Sequence, residues 1–194
     1  MNDLQEQIIL AGKLGDGNLK KNGLQNYYYR ESHAEDELEY LTWKMNVLGR
    51  DIIAKRGLYK IKKGGWNFQQ PYGFSTKTSP TFIKYANMNL SETIHRLDYR
   101  GIILFLLDDG WFSSHSKSGN FCISGGILTR ENLNELCEQF QIFGITNAHV
   151  VGNKRLDISI PRENNEKLYN MAIDFIPKDI DVIKKKFYKI TNIA

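Results

Sequence analysis

The chain has 194 residues, of which 41% are apolar, 25% charged and 12% aromatic, enough for one compact core or two small halves and too apolar for a disordered chain. Its 26 basic and 22 acidic residues leave a net charge of +4, a balance that does not by itself indicate nucleic acid. The longest unbroken apolar run, residues 102–107, falls far short of the roughly 20 residues of a membrane span, and Cys122 and Cys137 build neither a disulfide framework nor a zinc site. The opening segment MNDLQEQ has neither the basic nor the apolar region of a secretory signal. The expected compartment is therefore reducing: cytoplasm, or an organellar matrix if the gene is organellar.

In chain order, residues 4–14 place Leu4, Ile8, Ile9, Leu10, Ala11 and Leu14 on a helical stripe that ends in Gly15-Asp16-Gly17. Two extended runs follow, 18–21 and 24–32, split by the hairpin signal Asn22-Gly23. A helix fits 34–48 and closes at Gly49. Extended runs over 52–62 and 72–76 lead to a helix opened by Pro80, and 87–93 reads as a linker.

The pattern then recurs. A helix over 96–107 ends in Asp108-Asp109-Gly110, and extended runs over 111–115 and 120–124 are split by Ser118-Gly119. A helix over 129–143 has Thr129 as N-cap and Gly144 beyond its end. Runs over 149–151 and 156–160 precede a helix opened by Pro161, and residues 178–193 form a last basic helix containing Lys184, Lys185 and Lys186. The same elements in the same order, with matching punctuation, predict an α+β fold of two pseudo-symmetric αββαββα repeats, each with a four-stranded antiparallel sheet. The boundaries are 1–90, 91–177 and a basic helix or tail over 178–194.

Charge is segregated along this pattern. Residues 52–79 hold Lys55, Arg56, Lys60, Lys62, Lys63 and Lys77 without an acid. Residues 110–130 hold Lys117 and Arg130, and 145–156 hold Lys154 and Arg155, again without one. The acids gather where helices are expected: Glu35, Asp36, Glu37 and Glu39, then Glu131, Glu135 and Glu138.

Leu10-Ala11-Gly12-Lys13-Leu14-Gly15-Asp16-Gly17 resembles the motif that names the LAGLIDADG homing endonucleases. Residues 104–110 resemble the second motif of the divergent branch, which ends in Asp-Asp-Gly. Glu39-Tyr40-Leu41-Thr42-Trp43-Lys44 is similar to the start of the helix after the first hairpin in that family. The resemblance spans nearly the whole chain. It implies that the two named helices pack side by side, with Ala11 and Gly15 sparing bulk, and that Asp16 and Asp109 meet at their ends. Leu104, Phe105 and Asp108 stand where small residues are expected, so that packing must be asymmetric.

Two adjacent carboxylates repel unless they share a hard cation. Oxygen ligands without a His or Cys cluster favour Mg²⁺, with Mn²⁺ able to substitute. The metal candidates are Asp16 and Asp109, with the preceding residues Gly15 and Asp108; Asp108 is open between a supporting ligand and a helix-end residue. Under the resemblance, the sheets form a saddle in the DNA major groove. Arg30, Lys60, Lys62, Gln70, Lys117, Lys154 and Arg155 then reach phosphates or base edges, and Tyr28 or Trp66 packs against sugars. Lys77 lies where the family has a basic residue at the scissile phosphate. Lys154 or Arg155 is its partner in the second repeat, although Ile160 occupies the nearest equivalent position. His33 falls where the family has a polar residue near active-site water; Gly125-Gly126 stands in that stretch of the second repeat, so the half-sites are unequal. The expected function is a monomeric, Mg²⁺-dependent endonuclease acting on a long, asymmetric double-stranded DNA site. The alternative is a non-cleaving nucleic-acid-binding protein of the same fold, an intron RNA maturase or a DNA-binding regulator.

Overall fold

In the computed structural model of the chain, residues 1–62, 69–112 and 119–191 are described. Helix α1 (Asp3–Leu14) starts at a capping box in which Asn2 and Gln5 each accept the other's backbone N–H. It leads into the hairpin of β1 (Gly17–Lys21) and β2 (Tyr27–Ala34), then a 3₁₀ turn and α2 (Leu38–Leu48). With β3 (Tyr59–Lys60) and β4 (Pro71–Ser75) the strands form an antiparallel sheet in the order β1-β2-β4-β3. Helices α3 (Ile83–Asn87) and α4 (Leu90–His95) then lead to α5 (Tyr99–Asp109). The second sheet, β5 (Gly110–Phe112), β6 (Phe121–Ser124), β7 (His149–Val151) and β8 (Asp157–Ile160), has the corresponding order β5-β6-β8-β7. Helix α6 (Arg130–Ile142) lies between its hairpins, and α7 (Asn165–Ile173) and α8 (Asp181–Thr191) follow it. The expected α+β architecture, two four-stranded antiparallel sheets in repeated order, is what the chain adopts. Among the described residues no helix is long and apolar enough to cross a membrane.

Several local expectations need correction. The strand expected over 52–62 shrinks to Tyr59–Lys60 and an isolated bridge from Ile53 to Thr76. A turn between them, closed by Gly57 N–H on the Ala54 carbonyl with Gly57 at φ +60°, breaks the extended path. The expected linker over 87–93 contains most of α4, because Asn89 and Glu92 make a second capping box. The helix expected from residue 96 starts at Tyr99, where the Asp98 carboxylate accepts from Arg100 and Gly101 N–H. The boundary placed at 90/91 falls at the first residue of α4. Thr129, Gly49 and Gly144 cap and close their helices as expected, the glycines at φ +80° and +72°.

Helices α1 and α5 pack side by side between the halves. Gln7 bridges them, donating to the Arg96 carbonyl and accepting from Asp98 N–H. The approach is close: a Cβ on Gly15 would stand 2.3 Å from Asp109 Oδ2, and one on Gly101 would stand 2.1 Å from Gln7 Oε1. Helix α5 is also covered by β6, α7 and α8, which is why residues 102–107 are apolar on every side and buried. Each such large side chain contributes roughly 1.5–3 kcal/mol on burial, before entropy is counted.

The C-terminal helix is part of this core and not an appended tail. Val182, Ile183 and Phe187 are fully buried, and α8 crosses back to the first half. There the Asp181 carboxylate accepts from the N–H groups of Glu39 and Tyr40, while Glu39 accepts from Asp181 N–H. Helix α2 has no side-chain cap of its own; α8 supplies one.

Candidate active site

The two motif aspartates lie at the carboxyl ends of α1 and α5. Asp16 follows the C-cap Gly15, and Asp109 is the last residue of α5. Helix dipoles disfavour carboxylates at this end and favour cations. Asp109 rests against Gly15, the neighbour of Asp16, so the ends meet as expected. Its Oδ2 is buried and has no hydrogen-bond partner among the described residues. Burial, then the Asp16 and Asp108 carboxylates, push Asp109 up to about 7. Burial also raises Asp16, against the pull of His33 and Lys44; its side chain remains 39% exposed.

Beside this pair lies a buried ionic network built on β2 and α2 of the first half and closed by Asp108 of α5. Lys44, on α2, is fully buried. It donates to both oxygens of Asp108, at 2.7 and 2.9 Å, and to Glu31 on β2. Glu31 also accepts from the Tyr29 hydroxyl and pairs with His33 Nε2 at 2.8 Å. His33 Nδ1 faces Glu37 at 3.1 Å and Asp16 at 3.6 Å. Burial alone would discharge the His33 ring, but its hydrogen bonds to Glu31 and Glu37 outweigh that and hold it up at about 10. Burial likewise opposes ionisation of Glu31, and Lys44 and His33 overcome it, holding Glu31 at about 2. Burial lifts Asp108 to about 6 against the pull of Lys44. Tyr40 edges against His33, with ring centroids 5.5 Å apart, and lies 4.4 Å from the Lys44 ammonium.

This network decides the ligand set. Atoms of Asp16, His33 and Asp108 lie within 4.8 Å of one another, the spacing of a metal site. A doubly protonated His33 has no lone pair to give, and both Asp108 oxygens accept from Lys44, each keeping one lone pair. Asp16 and Asp109 are, among the described residues, without a lysine or arginine ion pair. The orphaned Asp109 oxygen and the mutual repulsion of the two carboxylates fit a shared divalent cation bound by oxygen ligands. Gly15 serves by having no side chain, which leaves room for the Asp109 carboxylate.

Glu31 and Lys44 lie outside the expected site residues, although Lys44 ends the segment from Glu39 that resembles the family, and in the sequence Lys186 is one of three lysines in a basic helix. Lys186 is half-buried and donates to the Gly110 carbonyl beside Asp109. Glu31 was the findable one: an acid on the apolar face of a strand, two residues from a histidine, signals a buried pair. Lys77, by contrast, is exposed, and the cations acting most on Asp16 are His33 and Lys44.

Strand register sorts the remaining candidates, because directly opposed residues share a face. On the first sheet, Asn18, Arg30 and Ser75 oppose one another, as do Lys20 and Tyr28, and Ser32, Gly73 and Tyr59. This is the face away from buried Tyr29, Glu31 and Phe74, and Arg56 lies 4.1 Å over the Tyr59 ring. Lys60 opposes Tyr72 and, across it, His33, so it belongs to the other face from Arg30. Gln70 spends its amide on the Ile61 and Pro71 carbonyls. Lys62 and Lys154 are exposed. On the second sheet, Trp111, Cys122, Ser159 and His149 share the outer face. Arg155 reaches Ser124 Oγ at 3.1 Å and lies 6.0 Å from the Trp111 ring. Lys117 and Trp66 lie outside the described residues.

Two sheets in this order, flanking paired helices that end in aspartates, define the fold of the LAGLIDADG homing endonucleases, as the motifs implied. The chain is similar to the homing endonuclease I-WcaI bound to its DNA recognition sequence: TM-score 0.74, 19% identity, covering 96% of this chain and 86% of that one. It is also similar to I-DmoI in complex with DNA and Mn: TM-score 0.59, 15% identity, 88% and 97% covered. For the N-terminal LAGLIDADG domain of DUF199/WhiA the values are 0.55, 14%, 91% and 85%. No family model and no curated protein sequence matches the chain.

Proposed function

We propose that the protein is a site-specific double-strand DNA endonuclease that hydrolyses phosphodiester bonds with Mg²⁺. The carrying observation is the Asp16–Asp109 centre: two carboxylates at adjacent helix ends, one with a buried oxygen that none of the described residues satisfies. Nucleic-acid binding alone gives no reason to aim paired acids at a phosphate backbone. Asp16 and Asp109 would hold the cation, which when bound polarises a water and offsets charge on the leaving 3′ oxygen. His33, kept cationic by Glu31 and Glu37, sets the field at Asp16. The outer sheet faces, with Arg30, Lys20 and Arg56 on one and Arg155 and Trp111 on the other, offer cations and aromatic rings to phosphates and sugars. The DNA-bound state named for I-WcaI and I-DmoI supports that placement.

Both aspartates come from one chain, so a monomer completes the site, and unequal halves call for a non-palindromic target. The compartment proposed with this reading is the cytoplasm, or an organellar matrix if the gene is organellar. The test is to incubate the protein with genomic DNA in Mg²⁺ or Ca²⁺ and sequence the broken ends. Sharp ends at one or a few sites are expected with Mg²⁺ only, at least 100-fold fewer with Asp16→Asn or Asp109→Asn. Retained binding without cleavage would overturn this reading in favour of a non-cleaving DNA- or RNA-binding protein.

A further inference from the structure

The two aspartates are served by cations from different places. Opposite the motif glycine of the first half, Gly17, stands Glu31; opposite that of the second, Gly110, stands Ile123. Two residues on along the strand, His33 is matched by Gly125, and two residues back Tyr29 is matched by Phe121. Among the described residues, the buried face of the second sheet, Phe121, Ile123, Ile158 and Ile160, therefore brings Asp109 no charged group. Lys44, from the first half, is held by Asp108 and Glu31.

Lys186 fills that gap from α8. Its ammonium donates to the carbonyl of Gly110, the residue after Asp109, at the negative end of α5. The helix that carries it is anchored on both sides. Phe187 packs on Phe121 and Tyr169, with centroids 6.0 and 5.6 Å away, and Lys185 pairs with Asp36 and Glu37 of the first half. Gly110 takes one of the three ammonium donors, and the side chain is half-buried at the centre to which the proposed reaction brings a phosphate.

We propose that Lys186 is the phosphate-contacting cation of the second half-site, donating to the DNA phosphate next to Asp109. This rests on the endonuclease reading for the identity of the substrate. The test measures binding and cutting separately. A duplex selected from a random pool by binding in Ca²⁺ is titrated at several salt concentrations with the unsubstituted protein, Lys186→Met and, as a charge-matched control on the same helix, Lys184→Met. Loss of one phosphate contact lowers the slope of log K against log salt by about 0.9; that is expected for Lys186→Met and not for Lys184→Met. In Mg²⁺, with each strand end-labelled, Lys186→Met is expected to slow one strand at least 10-fold more than the other, with Lys186→Arg restoring most of the loss. An unchanged slope, or equal slowing of both strands, overturns the proposal and leaves Lys186 as a clamp on the helix end. If the unsubstituted protein binds but cuts neither strand, the endonuclease reading falls while the slope still decides the contact. Thermal melting checks folding, and Lys186→Gln, which keeps a donor for Gly110, replaces Lys186→Met if that variant unfolds.

Discussion

Lys44 shows how much one side chain can be asked to do. It is fully buried, and its ammonium neutralises two carboxylates from different halves of the chain, Glu31 and Asp108. Removing one member of such a set strands the others in a low dielectric, where an unpaired charge costs several kcal/mol. Lys44→Met is expected to lower stability by about 3–5 kcal/mol in urea unfolding. A triple variant, Lys44→Met with Glu31→Gln and Asp108→Asn, should recover most of that, since the second half fills the Glu31 position with Ile123. A neutral single variant would show that the network is incidental.

At the scale of elements, α8 determines how α2 begins. The first turn of α2 carries N–H groups that no local side chain accepts, and Asp181 accepts two of them from far along the chain. Losing an N-cap costs about 1 kcal/mol. Asp181→Ala should therefore lower the melting temperature by roughly 2–4 °C for a chain of this size. Calorimetry showing no change would mean that water caps α2 equally well. The same helix carries Lys185 and Lys186 to the centre, so capping, core packing and electrostatics are linked in one element.

Across the whole molecule, the ionic network joins the halves: β2 and α2 of the first meet α5 of the second at Asp108, and Glu37 ties the network to α8 through Lys185. Glu31 and Glu37 are both held at about 2, well below the ordinary value of 4.5, in each case by cations that overcome the effect of burial. A depressed folded value contributes stability that is fully present above the free value and is lost as pH falls through the folded one. The raised His33, at about 10, gives up its contribution as pH climbs from the free value of 6.5 toward 10. The share from Glu31 and Glu37 should be full above about pH 4.5 and lost steeply between there and pH 2, with the two halves loosening together. Urea midpoints measured across that interval check this, and a flat profile would contradict it.

Periodicity and punctuation carried the fold. The stripe over 4–14, the paired Asp-Gly endings, Thr129 and the closing glycines are local signals, and local sterics and capping decide them whatever surrounds them. For the same reason Asp16 and Asp109 were legible as a pair: a motif repeated at one-repeat spacing announces itself. The misread elements were those where a nearby cap or turn overrode apolar content, as at Gly57 and Asn89. What lay beyond the sequence was everything that depends on which face a residue takes and what meets it across the chain. Lys60 and Arg30 look alike as letters, yet register puts them on opposite faces. Lys186 looked like tail charge until the path of α8 brought it to Gly110, and only the folded chain brings Lys44 onto both oxygens of Asp108. Burial and Coulomb energy depend on distances in space, and only the folded chain sets those distances.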